Sequence, residues 1–255
     1  MLSDLEELEY GKIVQESLLP REPEKIEGYD IAYFHISATD LAGDYHDNVL
    51  LEDGRLAIVL GDVTGHGISA SLAMAMAKGT FNYARDKNAE FPGELIDMLN
   101  TMFNKELKPK NKFMTLLSVV LTPETGEIVF DNAGQAYPCY YSAATQTSEE
   151  IKMPSMPLGA MKKRKKRGIS RIMEPGDAFI LYTDGIIESS AVNGEMYGYN
   201  RFYNKFTELM KANIDSAKAI KAIYDEVENY REPGPHADDI TMIILRRKAY
   251  KKTST

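Results

Sequence analysis

The sequence contains a single cysteine, Cys139. That excludes an intramolecular disulfide and any zinc site built on several thiolates, and it fits a reducing compartment. Histidine is also scarce. His35, His46, His66 and His236 are the only four, and no two have a metal-ligand spacing such as HxxxH. No apolar run approaches the ~18 residues needed to span a bilayer. The acidic start, MLSDLEELEYG, is unlike a signal peptide. Together these absences predict a cytoplasmic protein with no membrane insertion. Positive charge is in deficit, at a net −8, which argues against bulk nucleic-acid binding. The one basic tract, KKRKKR (162–167), therefore reads as a solvated loop between strands, with recruitment of an acidic partner as its alternative role. Internal repeats and regular βαβ alternation are both missing.

Residues 3–19 are predicted to be a helix. Ser3 and Glu6 have capping-box spacing, Pro20 stops the helix, and Tyr10, Ile13, Val14 and Leu18 form one apolar stripe. The stripe fits either packing on the helix's own domain or docking on a partner chain. PREPEKIEG then reads as a linker. YDIAYFHIS (29–37) is strand-like, and NVLLEDGRLAIVLGD (48–62) reads as a hairpin turning at Asp53-Gly54. Helices are predicted from Gly67 to about Arg85, over 93–107, and in two stretches around 199–230. Residues 113–134 read as strand, turn, strand, and YPCYYSAATQTSEEIKM as a further hairpin. Strands thus come in clusters separated by helical pairs. The pattern predicts an α+β fold: a largely antiparallel β-sandwich covered by helices. The domain is expected over 28–248, with an arm over 1–27 and a tail over 249–255.

Several aspartates flank these strands. In LAIVLGDVTGHG, Asp62 ends an apolar run, and in DAFILYTDG, Asp184 does the same. Asp44 and Asp47 lie in AGDYHD before a strand, and Asp238 and Asp239 open the last one. Each alone has an ordinary reading: Asp53 and Asp184-Gly185 as turns, Asp47 as a second-layer or surface acid, Asp239 as a cap. If the strands are neighbours, the acids can converge at one end of the sandwich. Carboxylates within ~6 Å repel and raise one another's pKa, and hard divalent cations with oxygen ligands resolve that repulsion. Two such ions ~3.5–4 Å apart would bind a phosphate oxygen and acidify a bridging water, with Asp62 as the bridging ligand.

The stretches LAGDYHD (41–47), LGDVTGHGISASLAMA (60–75), FDNAGQAYP (130–138), MPLG (156–159), PGDAFILYTDGIIES (175–189), EMYGYNRF (195–202) and DDITMIIL (238–245) occur in the order of a known family. On them the chain resembles the SpoIIE/RsbU-type branch of the PPM (PP2C-like) metal-dependent serine/threonine phosphatases. The resemblance implies an αββα four-layer sandwich holding two Mn²⁺ or Mg²⁺ ions. Carried over, Asp62 bridges both metals with help from the Val63 carbonyl, Asp44 serves the second ion, and Asp184 and Asp238 hold the first. Asp239 is a further candidate ligand. Asp62 and Asp184 become the catalytic positions, and Gly43, Gly65 and Gly67 allow close backbone approach.

The same resemblance implies a partner-switching pathway, whose substrate is a phosphorylated STAS-domain protein (an anti-anti-sigma factor). Dephosphorylation would free that antagonist to bind an anti-sigma kinase. The helix over 3–19 is the candidate for regulation or homodimer formation. Some positions depart from the family pattern. Ala42 replaces the first of paired glycines, Gln135 stands where His is common, and His66 lies four residues beyond Asp62. No counterpart of the phosphate-binding Arg of the eukaryotic relatives is evident. Two other functions compete: a non-catalytic scaffold of the same fold, and a dinuclear hydrolase of nucleotides or small phosphoesters.

Overall fold

The computed structural model describes residues 4–164 and 168–249. Ser3, Lys165–Arg167 of the basic tract, and residues 250–255 of the tail lie outside the described residues. In chain order the elements begin with α1 (Asp4–Leu18), β1 (Tyr29–Ile36), β2 (Asp44–Leu50), β3 (Leu56–Val63), α2 (Ile68–Asp86) and α3 (Gly93–Met102). Next come β4 (Met114–Thr122), β5 (Glu127–Ala133), β6 (Cys139–Ser142), β7 (Thr147–Glu150), β8 (Ile169–Ile172) and β9 (Ala178–Tyr182). The chain closes through the single-turn α4 (Gly185–Glu188), then α5 (Gly198–Lys211), α6 (Ser216–Tyr230) and β10 (Ile240–Arg247).

Two five-stranded sheets result, ordered β1-β10-β9-β6-β7 and β2-β3-β4-β5-β8. Every pairing between these strands is antiparallel. Alternation along the strands builds the layers. Leu56, Ile58 and Leu60 of β3 meet Phe179, Leu181 and Leu245 of the opposite sheet in the central core. Ala57 and Val59, one residue out of phase, pack under α2 and α3. Ile180, Tyr182, Met242 and Ile244 pack under α5 and α6. Central strands buried on both faces must be apolar throughout, which is why LAIVL and AFILY read as continuous hydrophobic runs. The architecture is the expected four-layer αββα sandwich. Among the described residues no helix is long and apolar enough to cross a membrane.

Two local expectations are corrected, and one open alternative is decided. Asp44 and Asp47 lie within β2 rather than before it, because β2 pairs with β3 from Asp44 opposite Asp62 to Leu50 opposite Leu56. The helix expected to run to residue 107 gives way to a wider π turn at Phe103–Leu107. The stripe of α1, which the sequence left free to face either way, points largely outward, with Leu18 half-buried. Tyr10, Ile13 and Val14 are 57%, 57% and 59% exposed. The helix is anchored instead by buried Gln15, whose Nε2 donates to the Ala42 carbonyl (2.8 Å) and whose Oε1 accepts from the Ala42 N–H (2.9 Å).

Candidate active site

The antiparallel register of β2 and β3 sets Asp44 directly opposite Asp62. β10 lies between β1 and β9, so the residues just ahead of it meet the loop that follows β9. Asp184 sits in that loop, at the start of α4, where its carbonyl accepts from the Ile187 and Glu188 N–H groups. The approach is tight. A Cβ on Gly185 would fall 2.1 Å from the Asp239 carbonyl oxygen, so only glycine lets the two segments lie together. Gly43 plays a similar part on the other sheet. A Cβ there would fall 3.1 Å from the carbonyl oxygens of both Val63 and Gly65.

Two buried networks lock the cluster. Asp239 Oδ1 accepts from the Ala38 N–H (2.8 Å), and its Oδ2 accepts from the Gly43 (2.7 Å) and Asp44 (3.2 Å) N–H groups. Asp239 thus ties β10 to the entry of β2, leaving little of its carboxylate for other ligands. Asp44 Oδ2 accepts from the hydroxyls of Thr183 (2.9 Å) and Thr241 (2.5 Å). With that proton committed, Thr241 Oγ1 accepts from His35 Nδ1 at 2.9 Å, which fixes the imidazole tautomer. Thr183, Thr241 and His35 were not singled out in the sequence, although two of them stand inside the motifs YTDG and DDIT. A hydroxyl's role depends on what lies across the sheet, and spacing along the chain does not reveal it.

The electrostatics are those of anions held together. Burial and then Asp184, Asp238 and Asp239 push the Asp62 carboxyl up to about 7. Burial, followed by Asp62, raises Asp44 well above the carboxylate range. Asp238 is raised by burial and by Asp184, with some relief from His66. Among the described residues none of these acids has a Lys or Arg ion-pair partner. Like charges resist closer approach, and among the described residues no three acid, histidine or cysteine side chains close into a ready-made ion cage. An oxygen-only donor set with surplus negative charge, beside a backbone carbonyl at Val63, fits a hard divalent cation and does not suit zinc.

Asp47 stands apart, buried and ion-paired with Lys78 of α2. It is therefore neither a surface acid nor part of the cluster. Ala42 is not among the non-glycine residues with positive φ, so its methyl is accommodated. Gln135 lines a cleft of about 400 Å³ together with Asp184, Glu188 and Tyr199. Its Oε1 accepts from the Thr115 hydroxyl (2.7 Å), Thr115 being the β4 residue opposite Asp62. Its Nε2 is buried with no hydrogen-bond partner among the described residues. Within the basic tract Lys162 and Lys163 are exposed, as a solvated loop requires, and Arg164 is the exception. Its side chain is buried, and its Nη2 donates to Asp131 Oδ1 (3.0 Å) and the Asn132 carbonyl (2.7 Å).

Comparison with known proteins agrees with this geometry. Residues 52–248 match the family model described as "Stage II sporulation protein E (SpoIIE)". The chain is 27% identical over 247 residues to "Phosphoserine phosphatase RsbU" of Bacillus subtilis, a match covering 95% of this chain and 70% of that protein. Among solved structures it resembles the SiaA PP2C domain of Pseudomonas aeruginosa, with a TM-score of 0.83 at 19% identity, over 94% of this chain and 96% of that one. RsbX, solved in complex with magnesium, aligns with a TM-score of 0.63 at 17% identity, over 87% and 96% of the two chains.

Proposed function

The chain belongs to the SpoIIE family of PP2C-like serine/threonine phosphatases, and from that premise we propose that it removes phosphate from phosphoserine or phosphothreonine on a STAS-domain protein. In this reading residues 28–248 are the phosphatase domain of a cytoplasmic partner-switching enzyme. Residues 1–27 are a regulatory arm through which two copies associate, and 249–255 are a tail. The likeness to a named phosphoserine phosphatase supports the substrate class.

The single observation that carries the chemistry is the gathering of Asp44, Asp62, Asp184 and Asp238 at one end of the sandwich, with no Lys or Arg ion-pair partner among the described residues. Asp62, the Val63 carbonyl and Asp44 would hold one divalent cation, and Asp62, Asp184 and Asp238 the other. Asp239 would contribute mainly by orienting its neighbours. Bound there, two Mn²⁺ or Mg²⁺ ions would supply Lewis acidity toward the phosphoryl group and a water of lowered pKa. The protein's own part is positioning. Thr183 and Thr241 aim the Asp44 carboxylate, Asp239 fixes the backbone on which Asp44 stands, and Gly185 lets Asp184 approach. Because water is the attacking group, no nucleophilic side chain is required.

The test is turnover of a serine-phosphorylated STAS-domain protein, with ATP as the competing small substrate, in Mn²⁺. Asp62→Asn and Asp184→Asn are expected to abolish turnover with circular dichroism unchanged, and the phosphoprotein to be preferred over ATP. Full activity in either variant overturns the site, and preference for ATP overturns the substrate class.

A further inference from the structure

Metal ions that grip a phosphate do not distinguish which protein carries it, so selectivity requires contacts away from phosphorus. Resting on the phosphatase reading above, we propose that the segment 154–164 forms a docking groove for the phosphoprotein beside the metal site. The groove takes an apolar side chain between Met156 and Met161 and an acidic one at Lys163.

Three observations carry this. The first is continuity. The cleft that holds Asp184 and Gln135 also includes Ser155. Ser155 in turn borders a second cavity of about 500 Å³ lined by Met156, Met161 and Lys163. A chain leaving the phosphate site can therefore continue into the second cavity without leaving the surface.

The second is rigidity. The segment has almost no regular structure, yet it is pinned from Leu158 to Arg164. Leu158 exchanges backbone hydrogen bonds with Met114 (2.7 and 3.3 Å). Gly159 N–H donates to Asn100 Oδ1 (3.0 Å). The Met161 carbonyl accepts from the amides of Asn100 (3.0 Å) and Asn104 (2.7 Å). Arg164 closes the segment on Asp131. Little ordering entropy would be left to lose on binding.

The third is what this fixed backbone displays. Met156 and Met161 are 52% and 50% exposed. Methionine adapts to varied apolar partners, and exposed apolar groups rimmed by charge mark interaction sites. Among the described residues Lys163 has no carboxylate partner, in a chain whose net charge is −8.

The experiment compares kcat/KM on a serine-phosphorylated STAS-domain protein with kcat/KM on p-nitrophenyl phosphate, both in Mn²⁺. The variants are Met156→Asp/Met161→Asp and, separately, Lys163→Glu, with folding checked by thermal unfolding. The ratio of the two values is expected to fall about tenfold in each, chiefly through KM on the phosphoprotein. An unchanged ratio in both overturns the groove, whether the individual rates hold or fall together. The wild-type rates test the phosphatase assignment on their own, and only the change in ratio tests the groove.

Discussion

Asp62 holds its proton far more tightly in the folded chain, up to about 7, than an ordinary aspartate near 3.8. The sign of the consequence is fixed by linkage. A carboxyl with a raised folded pKa binds more protons folded than unfolded throughout the window between the two values. Stability therefore falls as pH rises from about 4 to about 7, and the full cost applies above 7. In the chain freed of metal by chelation, Tm is expected to decline across this window. Asp62→Asn should flatten the decline, and Mn²⁺ should reverse it in the wild type. Calorimetry at pH 5, 6 and 7 reads the difference between the two proteins, which cancels titrations far from the cluster. Equal slopes in both proteins would show that Asp62 is not the group under strain. At this scale much of the acid cluster was legible, because several acids recur at strand ends with the same flanking pattern, although each alone could be a turn or a cap. The hydroxyls of Thr183 and Thr241 were not, since neither residue breaks any local rule.

The site's precision is decided where elements meet. α4 is a single turn whose Ile186 and Ile187 are buried in the core with α5 and α6, and Gly185 sets it against the chain ahead of β10. Gly185→Ala would put a methyl 2.1 Å from the Asp239 carbonyl, far inside contact distance. The turn must then shift, carrying Asp184 with it. Mn²⁺ affinity is expected to fall about tenfold or more, within the range found when supporting residues of a metal site are lost. Tm should drop as well. Calorimetric titration with Mn²⁺ measures the first effect, and wild-type affinity would mean that α4 tolerates displacement. Elements of this kind also mark where reading the sequence fails. The central strands were evident from their continuous apolar runs. β8 was not, because its four residues sit at a sheet edge with alternate positions exposed. The N-terminal part of β2 looked like loop because its residues are polar: Asp44 bonds Thr183 and Thr241, and Asp47 pairs with Lys78. Register with β3 makes them strand.

For the whole molecule, the outward stripe of α1 has the widest consequence. Periodicity identified the helix correctly, but it could not say which way the stripe faces, because that is decided by one polar anchor. Gln15 pairs with both backbone groups of Ala42, and Ala42 is two residues from Asp44. The helix is thus tied to the entrance of β2 by its polar side, with Tyr10, Ile13 and Val14 left in water. Beside Tyr10 and Ile13, the half-exposed Val14 joins Leu18, Leu41, Ile68 and Leu72 in lining a groove of about 540 Å³ between α1 and α2. A second copy of the chain is the occupant in the homodimer proposed above, since each protomer would bring both a stripe and a groove and one contact could satisfy two. Ile13→Glu/Val14→Glu places two charges on the stripe without touching Gln15 or the sandwich core. Sedimentation velocity is expected to find the wild type dimeric at tens of micromolar and this variant monomeric, with the same far-UV spectrum. A wild type that sediments as a monomer at that concentration, or a variant that still dimerises, removes α1 as the dimer contact and leaves the acid cluster untouched.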